Sequence, residues 1–354
     1  MSRKLSKRQK LILTVLFVVF NVAVIVATAA NEFGNSANAT KLSEVQLNWW
    51  MLIPATICFG LAILANVMKY VLMIEGTSSP GKRPSRREIW KISWRVLMLG
   101  RYYDSITPAS IGGQPFQIYY MRKHSNLASG DATSIPIFAM IASQVGFLII
   151  AAMCLISGDI LGENPALILA FVIGLLFYAF WPVMVAGTTF FPRATSRFLQ
   201  LGVKFLAKIR LIKNREQALK KVEQEVASYA SSVKTIFKNK WLSVKVLILA
   251  TIYNFLIAAI PYLLLKALGG DMDFAKCLTT TVVITAAVYF VPTPGNAGAA
   301  EGTFYAVFSS LSSGYVFWAM LIWRFFTYYA YIIIGPLIYL HMHLEKNLSI
   351  HKKL

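Results

Sequence analysis

Four ionisable side chains stand in apolar surroundings: Arg101 and Asp104, three residues apart, and Glu301 and Arg324 later in the chain. Charges in such segments are costly to keep, so they are the first candidates for function. Arg324 can meet a lipid phosphate while Glu301 orients it or meets a cationic headgroup. The alternative is an ion pair that locks one segment to its neighbour. Arg101 and Asp104 share a helical face, where they either line a site or pair with each other. Near them in sequence lie the uncharged polar residues Ser110, Gln114, Gln117 and Asn296, and the backbone of Gly112 and Gly113. Such a set can bind a polar or anionic substrate. The sequence has no phosphate-binding loop, no nucleophile elbow and no carboxylates at glycosidase spacing, so no catalytic residue is assigned and the chain alone does not read as an enzyme. His341-x-His343 lacks carboxylate or Cys companions, and Cys58, Cys154 and Cys277 form no CxxC, so neither a metal nor another cofactor is expected. Gly-Gly-Asp-Met-Asp at 269–273 contains a sugar-transferase-like DxD but reads as a turn between helices.

Two interrupted segments must position these residues. The first has Pro108, Gly112, Gly113 and Pro115 close together, and no helix continues through that. The second is Pro292-Thr-Pro294-Gly295-Asn296-Ala-Gly298, set between apolar runs Cys277–Val291 and Thr303–Leu311 that are short for a bilayer. Helix starts after such breaks leave backbone N–H groups that could meet a phosphate. One Gly/Pro-interrupted segment in each half points to a transporter-like site near the membrane midplane.

Composition supports a membrane setting: 57% of the 354 residues are hydrophobic and 14% charged. The net charge of +20 comes mostly from residues 1–10, 75–95, 193–245 and 341–354, with acidic residues between other apolar runs. That is positive-inside asymmetry and argues against nucleic acid as partner. About six spanning helices are predicted, at 11–30, 49–74, 133–157, 165–190, 241–268 and 315–340. Counting sides, the element near 96–120 must enter and leave from the cytoplasm and that near 277–311 from outside. The expected fold is all-α and polytopic, with two opposed re-entrant elements forming an inverted-topology repeat and both termini in the cytoplasm. The halves are 1–190 and 241–340. Between them, 191–240 is a basic elbow, where Phe198, Leu201, Phe205, Ile209 and Ile212 recur beside Arg197, Lys204 and Lys208, suited to anionic inner-leaflet lipids. Residues 341–354 form a cytoplasmic tail.

The segments TPASIGGQPFQIYYMRKHS and VPTPGNAGAAEGTF together resemble the two signature segments of the lysylphosphatidylglycerol synthetase/flippase membrane region, the UPF0104 group. The matched positions are Pro108, Gly112, Gly113, Gln114, Pro292, Pro294, Gly295, Gly298 and Glu301. The resemblance implies a cell-membrane protein that moves an aminoacylated or other anionic phospholipid between leaflets, supporting resistance to cationic antimicrobial peptides. It equally admits a membrane component of a phosphatidylglycerol lysyltransferase working with a separate synthase, translocation of a polyprenyl-linked glycolipid, or an envelope scaffold. The sequence ends at Leu354, soon after its last apolar run, so the stand-alone form without a soluble synthase domain is expected.

Overall fold

The computed structural model describes residues 46–77, 84–108, 110–127, 129–156, 165–208, 215–312 and 315–351, with a few isolated positions between 19 and 30. The expected first span, 11–30, lies almost wholly outside the described residues. The helices are α1 (Leu52–Thr77), α2 (Arg86–Ile106), α3 (Gly113–His124), α4 (Ser129–Ile156), α5 (Pro165–Phe190), α6 (Pro192–Lys208), α7 (Arg215–Lys238), α8 (Lys240–Ala267), α9 (Phe274–Val288), α10 (Ala299–Leu311), α11 (Val316–Arg324) and α12 (Ala330–His351). A π turn, Phe325–Tyr329, joins the last two into one rod. Five helical stretches are long and apolar enough to cross a membrane: α1 with its lead-in from Trp49, α4, α5, α8 and the rod as far as Glu345. They coincide with five of the expected spans. The chain is an all-α polytopic membrane protein.

Local sequence sets the helix starts. Ser85 caps α2 in a reciprocal box with Glu88, Asn239 caps α8, and Asp273 caps α9 by accepting from the N–H groups of Ala275 and Lys276. The GGDMD stretch is thus a turn, as read from the sequence, with Gly269 at φ 78° and Asp271 paired to Lys266.

The pairs α2–α3 and α9–α10 are each folded back on themselves about their Pro/Gly stretch. They open at opposite ends of the bundle. At one end the Asn48 N–H donates to Ala267 O at 2.8 Å and the Tyr315 N–H donates to Leu268 O at 3.1 Å, and here α9 enters and α10 leaves. At the other end Gly76 packs on Leu242, and Lys91 and Arg95 of α2 bind Glu345 of α12 at 2.7 and 2.8 Å. The tips meet midway, where Pro108 and Pro294 form an isolated antiparallel bridge.

Leu176 and Val183 of α5 are 66% and 65% exposed, an outer face suited to lipid rather than water. Lipid tails are as apolar as Leu, so helices associate here by close packing. Gly174 lets α5 lie on α9, since a Cβ there would sit 1.9 Å from Ala286 O. Within the elbow, Val226, Ala230 and Val233 of α7 are buried, Val233 in a cluster with Ile141 and Val185, while Phe198 and Leu201 of α6 stay exposed beside Arg197. Ile209 and Ile212 lie outside the described residues.

Gly174→Val should destabilise the detergent-solubilised protein by about 1–3 kcal/mol or more, read as a lower thermal unfolding midpoint. Gly187→Val, where nothing lies within 4 Å of a Cβ, should leave it unchanged.

Candidate functional site

A polar cavity of about 350 Å³ lies between the two hairpin tips and α1, α4, α5, α8 and the rod. Of the residues singled out from the sequence, Arg101, Asp104, Ser110, Gln114, Gln117, Gly295, Asn296 and Arg324 line it. Gly112, Gly113, Glu301, Pro108, Pro115, Pro292, Pro294 and Gly298 do not. They build the frame behind it.

At the first break α2 ends at Ile106, Thr107 is extended, and Ser110 takes φ 52°. The N–H of Gly112 donates to Thr107 Oγ1 at 2.9 Å and that of Gly113 to Asp104 Oδ1 at 2.8 Å. Gly112 is right-handed, so the glycines serve close approach rather than backbone freedom: a Cβ on Gly113 would sit 2.5 Å from Gly100 O. Pro115 lies in the first turn of α3, where its missing N–H is tolerated, so it starts a helix rather than breaking one.

At the second break Gly295, Asn296 and Gly298 have φ 57°, 56° and 85°. Asn tolerates the left-handed region better than most residues. Glu301 reaches back to the Gly298 N–H at 2.7 Å with one oxygen and accepts from Arg324 Nε at 2.7 Å with the other. Arg324 Nη2 donates to Gly295 O at 3.3 Å, and its guanidinium lies 4.3 Å from the Tyr328 ring centroid. Glu301 and Arg324 are both buried, so the ion pair locks α10 and its preceding loop to α11 while Arg324 still faces the cavity. The N–H groups of Gly112, Gly113 and Gly298 are consumed by Thr107, Asp104 and Glu301. They are not offered to a phosphate.

Arg101 and Asp104 do not form an ion pair among the described residues. Arg101 Nη2 donates to the Tyr253 hydroxyl on α8, while Asp104 is drawn to the α3 terminus. Sequence reasoning missed Lys69 of α1, which is 1% exposed and donates to Ser143 Oγ at 2.6 Å. It also missed Asn66, Gln144, Asn254, Tyr178, Tyr253 and Tyr289, all lining the cavity. The signal for Lys69 was present, a lone cation inside the apolar run NVMKYVLM, but it stands near a basic loop and reads as a snorkelling side chain. Gln114, Gln117 and Gln144 each leave a buried Oε1, and Asn296 a buried Oδ1, without a protein partner. Each such oxygen costs about 1–3 kcal/mol if nothing meets it, which makes this cavity the candidate site for polar ligand atoms. His341, expected to lack a carboxylate companion, has Glu345 Oε1 at 3.1 Å, on the exposed side of α12. Among the described residues no three His, Cys, Asp or Glu side chains gather as metal ligands would.

Glu301→Gln and Arg324→Gln should each lower stability by about 3–5 kcal/mol, because each strands a buried partner. The double variant should lose less than the sum, as measured by unfolding in detergent. Additive losses would show that the two side chains do not act as a pair.

The comparison with known proteins fits this architecture. A UPF0104 membrane protein from Archaeoglobus fulgidus is 23% identical over 301 residues, covering 84% of this chain and 90% of the relative. The family described as the lysylphosphatidylglycerol synthase TM region matches residues 11–335, both hairpins included. This chain belongs to that family of membrane proteins.

Proposed function

We propose that this chain is a lipid translocase that carries the headgroup of an aminoacylated or other anionic phospholipid through the cavity, its acyl chains remaining in the bilayer. The observation that carries the reading is the place of the cavity: lined by charged and amide side chains with unmet hydrogen-bonding oxygens, and bordered by the tips of two hairpins that open at opposite ends. A headgroup there lies between two gates, each a broken helix. Family membership supports a role in membrane lipid biology.

The Glu345 end gathers Arg86, Arg87, Lys91, Arg95, Arg122, Lys123, Lys240 and Lys245, whereas Asp271 and Asp273 lie at the other. We therefore place the Glu345 end and both termini in the cytoplasm of a cell-membrane protein. The exposed Phe198 and Leu201 beside Arg193 and Arg197 then rest on anionic inner-leaflet lipids. Where the lipid is aminoacylated, a separate synthase supplies it. Export of such lipids lowers outer-leaflet negative charge and protects against cationic peptides.

The test is a leaflet assay. Purified chain in vesicles containing a fluorescent short-chain phospholipid should speed its exposure to an impermeant quencher at least tenfold over protein-free vesicles. Arg101→Gln should abolish most of that gain. In cells, removing the chain should leave the lipid inventory unchanged and shift its sidedness, and, where the lipid is aminoacylated, raise sensitivity to cationic peptides. A changed inventory with no leaflet activity would favour the transferase component instead.

A further inference from the structure

We infer that the cavity selects a net-anionic headgroup bearing hydroxyls, a phosphodiester joined to a polyol, and disfavours an aminoacylated headgroup carrying an ammonium. The inference rests on the translocase reading and narrows it. Lys69, Arg101 and Arg324 line the cavity, against Asp104 as the one lining carboxylate among the described residues. Arg324 is neutralised from behind by Glu301. With that pair set aside, a protonated Lys69 and Arg101 face the Asp104 carboxylate, leaving a surplus of one positive charge. Asp104 already accepts from the Gly113 N–H, and Lys69 donates to the Ser143 hydroxyl and lies over the Tyr253 ring, with the Arg101 cation as a neighbour. Lys69 and Arg101 approach that same ring, from α1 and α2, at 5.8 and 5.4 Å from its centroid. Two cations converging on one neutral ring in a buried site call for an anion between them, and a phosphodiester supplies one.

The unmet oxygens define the rest of the headgroup. Gln117 donates its nitrogen to Val96 O at 3.3 Å, which fixes the amide and leaves its oxygen as an acceptor. Gln144 uses its nitrogen on the Tyr289 hydroxyl at 3.0 Å and leaves its Oε1 unmet. With Gln114 and Asn296, acceptors come from both hairpins and α4, and hydroxyl groups are the neutral donors that satisfy them. An ammonium could donate to the same oxygens. In a cavity of this size it would do so beside Lys69 and Arg101, where like charges in a desolvated site repel strongly.

The experiment measures binding of short-chain lipids to the purified wild-type protein in detergent, by thermal shift and titration. Phosphatidylglycerol and phosphatidylinositol should bind at least tenfold tighter than phosphatidylethanolamine and lysyl-phosphatidylglycerol. Lys69→Gln should reduce that preference to threefold or less, and Lys69→Arg should retain it. If Lys69→Gln does not fold, the wild-type ranking decides. Lysyl-phosphatidylglycerol binding as tightly as phosphatidylglycerol, or unchanged selectivity in a folded Lys69→Gln protein, would overturn the inference. Free glycerophosphoglycerol should bind at least tenfold more weakly than the lipid, and equal binding would reject a lipid as the source of the headgroup. Selective binding without leaflet activity would sink the translocase reading and leave the selectivity standing. Leaflet activity favouring the lysyl lipid would do the reverse.

Discussion

A helix broken at membrane depth leaves N–H and C=O groups with no water to meet them, and each group left unpaired in hydrocarbon costs several kcal/mol. Much of this protein is arranged to discharge that requirement at two places. Thr107 and Asp104 take the N–H groups at the start of α3, Glu301 takes that of Gly298, Thr293 Oγ1 donates to Ala297 O, and Arg324 covers Gly295 O. The charged residues in the apolar segments are therefore largely structural in their first bonds. What they leave over, together with the amide oxygens nearby, forms the candidate site.

The two breaks solve the same problem differently. The first uses short polar side chains from its own hairpin and two glycines that allow the hairpin to close tightly. The second recruits a cation from another helix and puts successive residues, Gly295 and Asn296, in the left-handed region. Yet each break contributes one non-glycine residue of positive φ to the cavity wall, Ser110 and Asn296. Strained backbone of this kind persists where the surroundings over-determine it, and here the surroundings are the opposing tip.

Much of this was legible in the chain. Apolar runs gave five spans to within a few residues, because hydropathy and length are local properties. Pro and Gly marked both breaks for the same reason. Arg101, Asp104, Asn296 and Arg324 stood out because charge or turn chemistry in apolar sequence is conspicuous. Partners were less accessible. Spacing suggested that Arg101 would pair with Asp104, but a phenol on α8 and a helix terminus compete better, and neither is near in sequence. Lys69, Gln144 and Asn254 each sit inside a span where one polar residue is unremarkable alone. Only the packing of α1, α4 and α8 brings them to one wall. Gly112 and Gly113 were recognised as necessary, but their role is close packing and not the backbone freedom that glycine also allows.

The last rod touches both hairpins. Near its start, Arg324 grips the tip of the second. Further along, Gly335 leaves room for Tyr102, the Tyr339 hydroxyl is 2.8 Å from that of Tyr103, and Glu345 holds Lys91 and Arg95 at the mouth of the first. Between these two sets of attachments lies the π turn, the one stretch of the rod wound wider than an α-helix. The rod thus acts as a tie bar between the two hairpins. Both hairpins are therefore held by a single continuous piece of chain, and its one wider turn begins one residue after Arg324.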